Sequence, residues 1–159
     1  MYLPLDRTKT FLRSIQETDI NDEYLSWFSD PFVLKYISFA SSSPSLESLK
    51  SYVKSKIDSP DCIFFGIYDS VTNKIIGTIK FEPIDRIIGS AEIGILIGSS
   101  EYRGKGIAAD ALNASINYVK RSLALTRITL GVRKSNIPAV QLYKKLGFQI
   151  TSSTSSSHR

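Results

Sequence analysis

The chain predicts a mixed α/β fold: one central sheet with helices on both faces. Three observations carry that prediction. Short apolar or alternating runs occupy residues 10–15, 63–68, 75–81, 91–98 and 127–132. Apolar stripes at helical spacing fall before, between and after them. Pro, Gly, Ser and Asn mark the joins. The resulting order is strand, helices, strands, helix, strand, helix, with no repeat and no linker.

Each element has its own signal. Residues 10–15 alternate and read as a first strand. Asp19 is placed to cap a helix carrying Tyr24, Trp27 and Phe28 on one side, and Asp30-Pro31 ends it. Residues 33–37 read as a short apolar helix or turn, and Ser41-Ser42-Ser43-Pro44 as a loop. Ser45, with Ser48 three residues on, starts a helix whose face holds Leu46, Leu49, Val53 and Ile57. The strands at 63–68 and 75–81 flank a turn in which Asn73 takes positive φ, and Pro83 closes the second because proline cannot donate to a ladder. After the isoleucine-rich strand at 91–98, Ala108, Ala111, Leu112, Ser115, Ile116 and Val119 form a helical stripe. A strand at 127–132 and a helix at 137–146 follow, the helix capped by Gly147.

Composition sets the frame. The 159 residues, 42% apolar and 22% charged, fit one domain over residues 1–150. Residues 151–159 hold no apolar side chain and read as a disordered serine-rich tail, which carries the single histidine, His158. An imidazole base is therefore discounted. The lone Cys62 cannot form an internal disulfide and reads as a small packed hydrophobe. A net charge of +5 without a long basic run suits a solvated surface or a basic mouth for a phosphorylated cofactor, not a nucleic-acid track. No apolar run reaches the roughly 18 residues that span a bilayer. The start, Met1-Tyr2-Leu3-Pro4-Leu5-Asp6-Arg7, lacks a signal-peptide layout. A cytoplasmic protein without membrane contact is the expectation.

The chemistry concentrates in Glu92–Ala108. An apolar strand enters a loop with Gly104 and Gly106, and an amphipathic helix follows at once. A helix start offers unpaired N–H groups and partial positive charge, and glycine lets an anion approach the backbone. Arg103 and Lys105 add full charges. A Walker loop is excluded because no Lys-Ser or Lys-Thr follows the last glycine. A dinucleotide fingerprint is disfavoured because the next strand ends in Val132-Arg133 with no acid nearby.

The remaining pattern, Arg103-x-x-Gly106-x-Ala108, resembles the pyrophosphate loop of the GNAT family of N-acetyltransferases. A second block, Asn136-Ile137-Pro138-Ala139-Val140-Gln141-Leu142-Tyr143-Lys144-Lys145-Leu146-Gly147-Phe148, is similar to that family's Asn-x-x-Ala-x-x-Leu-Tyr-x-Lys-x-Gly-Phe segment. Trp27-Phe28-Ser29-Asp30-Pro31 resembles the branch acting on ribosomal-protein N-termini, polyamines and amino sugars.

The resemblance implies a GNAT-like mixed sheet and transfer of an acetyl group from acetyl-CoA, with no metal, to a primary amine by direct attack. The acceptor would be a small-molecule amine or a protein N-terminal amine. Amides of Arg103, Gly104, Lys105, Gly106, Ile107 and Ala108 would hold the CoA pyrophosphate. The backbone of Ile95, Leu96 and Ile97 would pair with the pantetheine arm. Asn136 would cap the last helix and bond that arm. Tyr143 would protonate the departing thiolate, a phenol being a donor at neutral pH. Glu92 is the candidate base, through a water, with Glu82 and Asp85 in reserve. Trp27 and Tyr36 are candidate acceptor-site walls, though packing is the commoner role for both.

Family members usually continue past the Gly-Phe with two more strands, and here only Gln149-Ile150 precede the serine tract. The C-terminal strands are therefore expected to be missing. That would leave the strand at 127–132 with an open edge that invites a second copy, hence a homodimer. It also motivates the alternative: a non-catalytic or acceptor-impaired module that still binds CoA.

Overall fold

The computed structural model describes residues 1–36 and 44–151. In chain order it contains β1 (Tyr2–Leu5), β2 (Thr10–Ser14), α1 (Asp22–Ser26), α2 (Pro31–Tyr36), α3 (Leu46–Ile57), β3 (Ile63–Asp69), β4 (Ile75–Asp85), β5 (Ser90–Ile97), α4 (Ile107–Leu123), β6 (Arg127–Thr129) and α5 (Ile137–Lys145). One six-stranded sheet runs β1-β2-β3-β4-β5-β6. Neighbours are antiparallel up to β5, and β6 joins β5 in parallel.

Strand alternation gives the sheet two apolar faces. Phe65 and Ile67 point into a core with Ile79, Phe81, Ile93 and the buried stripe of α4. Phe64 and Tyr68 point the other way, toward Tyr24, Trp27, Phe28, Val33, Leu49 and Val53. Helices cover both faces, as the sequence predicts. The stripe on α4 buries Ile107, Ala111, Leu112, Ser115 and Val119. Ser45 and Ser48 form a reciprocal capping box at the start of α3, with N···O distances of 3.0 and 2.9 Å. Asn73 takes its expected positive φ, 61°. Cys62 is buried, and its burial pushes the thiol pKa up to about 11.

Several expectations need correction. Residues 2–5, assigned no element from the sequence, form the edge strand β1. Asp19 does not cap α1; Asn21 does, accepting the Tyr24 N–H at 2.9 Å. Asp19 instead receives the Arg13 guanidinium at 2.8 and 3.0 Å and the Tyr68 hydroxyl at 2.8 Å. The first helix ends at Ser26, a 3₁₀ turn at Trp27–Ser29 carries the chain to Asp30, and Pro31 at once opens α2, with the Phe32 N–H bonded to Asp30 Oδ1 at 2.9 Å. Proline suits a helix's first turn, where its missing N–H costs nothing. Pro83 does not close β4. The ladder shifts register between Phe81 and Ile84, accommodates the proline, and resumes at Ile84↔Ala91. The strand expected at residues 127–132 pairs only over Arg127–Thr129. The loop at residues 41–43, the residue Ile37 and the tail at 152–159 with His158 lie outside the described residues.

The end of β5 is fixed by close packing. A Cβ built on Gly98 would lie 2.0 Å from Trp27 Cδ2, and Trp27 is buried. Gly98→Ala must displace the indole from a packed core, at a cost of about 1–3 kcal/mol. A lower urea midpoint with unchanged m-value is expected; an unchanged midpoint would show that Trp27 moves freely.

Candidate active site

The site originates in how β5 and β6 separate. Their ladder holds Ser90↔Arg127, Ala91↔Ile128 and Glu92↔Thr129, and then ends. Beyond it Ile93–Ile97 and residues 130–133 form opposite walls of a cleft of about 530 Å³. That volume is typical of a small-molecule site. On its other side β5 remains paired with β4 from Gly77↔Ile97 to Phe81↔Ile93. In an antiparallel pair only alternate backbone groups face the partner strand. The others in Ile93–Ile97 therefore face the cleft.

The loop at the end of β5 closes one end. Gly104 and Gly106 have φ of 73° and 80°, a left-handed conformation that favours glycine. Gly106 is the residue preceding α4, and with no side chain it leaves the helix start without a side-chain cap. The Asp110 N–H is the first to bond back, to the Gly106 carbonyl at 3.2 Å. The amides of Ile107, Ala108 and Ala109 precede it at the helix start. Gly104, Gly106, Ile107 and Ala108 all line the cleft. A seventeen-residue helix with open amides at its N-terminus favours an anion there.

Arg103 is used differently from expectation. Its Nε donates to the Ile97 carbonyl at 3.1 Å and its Nη2 to the Gly98 carbonyl at 3.2 Å. Its Nη1 donates to Asp30 Oδ2 at 2.9 Å, and the guanidinium lies 4.4 Å from the Phe32 ring centroid. Its amide is bonded to the Ser100 carbonyl at 3.2 Å. The side chain thus ties the loop to the start of α2. Lys105 lies outside the cleft lining, with Nζ 5.9 Å from the Tyr102 ring. The cations the sequence reading missed are Lys80 and Arg133, which line the cleft. Nothing local marks either one; strand pairing places both.

The last helix supplies the far wall. Asn136 caps α5, its Oδ1 receiving the Ala139 N–H at 3.4 Å, and both Asn136 and Tyr143 line the cleft. The Tyr143 ring meets Phe148 edge-on at 6.1 Å, and burial raises the phenol pKa above its ordinary value. The hydroxyl therefore stays protonated at neutral pH and can give a proton.

Carboxylates are placed less favourably. Glu92 occupies the β5 face shared with Gly94 and Leu96, as expected, but the lining begins one residue later. Glu82 is held by Lys56 at 2.8 Å and Lys80 at 3.7 Å. Asp85 accepts the Ile87 and Ile88 N–H groups in the β4–β5 turn, both at 3.0 Å. Trp27 is a core residue outside the lining, and the side chain of Tyr36 lies outside the described residues. Among the described residues no helix is long and apolar enough to cross a membrane.

A sheet that splits beside a glycine-rich helix start defines a class of group-transfer fold. Comparison with known proteins gives the family. The acetyltransferase (GNAT) domain matches residues 9–149. The uncharacterized N-acetyltransferase p20 of Bacillus licheniformis is 33% identical over 141 residues, covering 87% of this chain and 78% of that protein. A spermidine N(1)-acetyltransferase of Vibrio cholerae is 33% identical over 138 residues, covering 86% and 72%. The Vibrio cholerae spermidine N-acetyltransferase solved with CoA and spermine superposes with a TM-score of 0.79 at 25% identity, covering 91% of this chain and 83% of that one. A Salmonella typhimurium acetyltransferase that modifies the N-terminal serine of a ribosomal protein shares the fold, with a TM-score of 0.82 at 18% identity and coverage of 96% and 87%. The chain belongs to the GNAT acetyltransferase family and is an N-acetyltransferase.

The Arg103–Asp30 tie carries a pH dependence. Burial alone would raise the Asp30 carboxyl pKa, but the Phe32 N–H and the Arg103 guanidinium outweigh it and hold it below the usual value. A depressed carboxylate stabilises the fold above its unfolded pKa, near ~4, and that contribution vanishes as pH falls through the lower folded value. The stability difference between wild type and Asp30→Asn, from urea titrations, should be constant from pH 7 to 5 and shrink below 4. A difference that stays constant as the pH is lowered below 4 would refute the tie.

Proposed function

We propose that the chain transfers an acetyl group from acetyl-CoA to a primary amine by direct attack of the amine on the thioester. The single observation that carries this reading is the cleft itself, with strand backbone on one wall and open helix amides at its end.

Under this reading the amides of Gly104 to Ala108 receive the CoA pyrophosphate, where backbone donors and the helix dipole favour negative charge. Arg103 holds that loop in shape. The pantetheine arm lies along Ile95–Ile97 as an added strand and is bonded by Asn136, which directs the thioester toward Ile93 and Gly94. The amine attacks the carbonyl carbon, the C–S bond breaks, and the thiolate takes a proton from Tyr143. The raised pKa of that phenol suits an acid that must remain protonated until the thiolate forms. The proton lost by the amine passes to water, with Glu92 the nearest carboxylate in the sequence to that end of the cleft. The acceptor is a small-molecule amine or a protein N-terminal amine, classes handled by the relatives named for spermidine and for a ribosomal-protein alanine.

Two measurements test the scheme. Tyr143→Phe should lower kcat about 10²-fold while leaving the calorimetric Kd for acetyl-CoA within a factor of about two; an unchanged kcat removes Tyr143 from the chemistry. Gly106→Val forces a branched side chain into the left-handed region, in open space beside the helix start that the pyrophosphate would occupy. It should weaken acetyl-CoA binding at least about tenfold. No heat with wild type at millimolar acetyl-CoA would sink the reading as a whole.

A further inference from the structure

The wall of the cleft away from α4 and α5 has a composition that bears on the acceptor. It is formed on the α1–α3 face of the sheet by Tyr24, Phe28, Tyr52, Phe64, Thr78 and Lys80. Lys80 pairs across the ladder with Gly94, and Thr78 with Leu96. A Cβ on Gly94 would meet nothing within 4 Å, so the space beside Lys80 at this point of β5 is open. Lys80 Nζ donates to the Tyr52 hydroxyl and lies 5.0 Å from that ring's centroid. Behind it Glu82 is shared: Lys56 approaches to 2.8 Å and Lys80 to 3.7 Å. Two cations on one carboxylate leave a surplus positive charge, and the lysine that lines the cleft is Lys80.

The rest of the lining does not balance that charge. Among the described residues the charged side chains lining the cleft are Lys80, Arg103 and Arg133, and none is a carboxylate. Asp30 is committed to Arg103. A polyamine acceptor carries positive charge at every nitrogen but the reacting one, and would meet like charge in a partly desolvated pocket. An acceptor with an anionic group would find a donor already oriented by Tyr52.

We propose that the acceptor is an amine that also bears an anionic group, a carboxylate or a phosphate, which Lys80 binds while the amine is presented at Gly94. The inference rests on the acetyl-transfer reading above. Lys80 is a specificity-determining residue in this scheme.

The test is thiol release from acetyl-CoA with matched amines: an aromatic amino acid against its amide, glucosamine 6-phosphate against glucosamine, and spermidine. At least one anion-bearing member should exceed its anion-free partner about tenfold or more in kcat/KM, with spermidine the poorest. The two pairs distinguish carboxylate from phosphate. Lys80→Gln should erase the anion-bearing member's advantage through KM, and Lys80→Glu should raise spermidine above it. Preference for spermidine, or equal use of both partners by wild type, overturns the inference and leaves acetyl transfer intact. No thiol release with any of these amines or with a peptide N-terminal amine overturns the transfer reading, and this inference with it.

Discussion

The structure depends on a ladder that stops early. Three residue pairs tie β6 to β5, and past Glu92↔Thr129 the strands diverge. Had pairing continued, Ile93–Ile97 would be a central strand with its backbone fully used. Divergence costs those hydrogen bonds, and an unpaired buried polar group is expensive. A cleft at that place meets the need, because water or a ligand reaches the freed groups. The apolar side chains are not exposed by the split: Ile93 remains in the core under α4, and Leu142, Tyr143 and Leu146 of α5 pack against the same cluster. Ile93 thus stays buried and its neighbours Ile95–Ile97 stay half-buried while one edge of backbone is released.

The second requirement is a loop of defined shape at the mouth. Gly104 and Gly106 make the left-handed steps that bring the chain from β5 into α4. Arg103 then fixes the loop from within, joining the last carbonyls of β5 to Asp30 at the start of α2. A guanidinium can do this because its donors fan out in a plane and reach several acceptors at once. Lysine at this position would satisfy one acceptor and leave the others to water. Spending the cation on structure also leaves the anion-facing part of the loop to backbone amides alone. These add no side-chain entropy cost when a ligand binds.

Local chemistry made much of this legible in the sequence. The cap at Ser45, the turn at Asn73 and the two glycines before α4 each follow from a few neighbouring residues, and each is found where the pattern puts it; the cap at Asn136, expected from the family resemblance, is found as well. The misreadings are non-local. Nothing near Leu130 says that β6 has left its partner, since β-branched and apolar residues continue through Val132. Pro83 looks like a strand end until β5 is present to accept a bulge. Asp19 carries a capping residue's signature, yet Arg13 on β2 and Tyr68, forty-nine positions away, claim it first. Arg103 followed the same rule: its charge suggested the ligand, and Asp30, seventy-three positions away, was the nearer anion.

This division between backbone and side chain bears on how acceptor choice is built. The wall assigned to the cosubstrate is strand edge, glycine loop and helix start, all fixed by the fold and indifferent to most side chains. The opposite wall is side chains on the even-numbered positions of β4 and on α1–α3, which the fold tolerates in many forms provided Tyr24, Phe28 and Phe64 remain packed. A change at Lys80 alters the charge of that wall without touching the split ladder or the loop. Specificity can therefore drift while the fold and the opposite wall hold still. Overall sequence similarity, dominated by the positions that make the fold, then carries little weight for the acceptor, and the charges along this one face carry more.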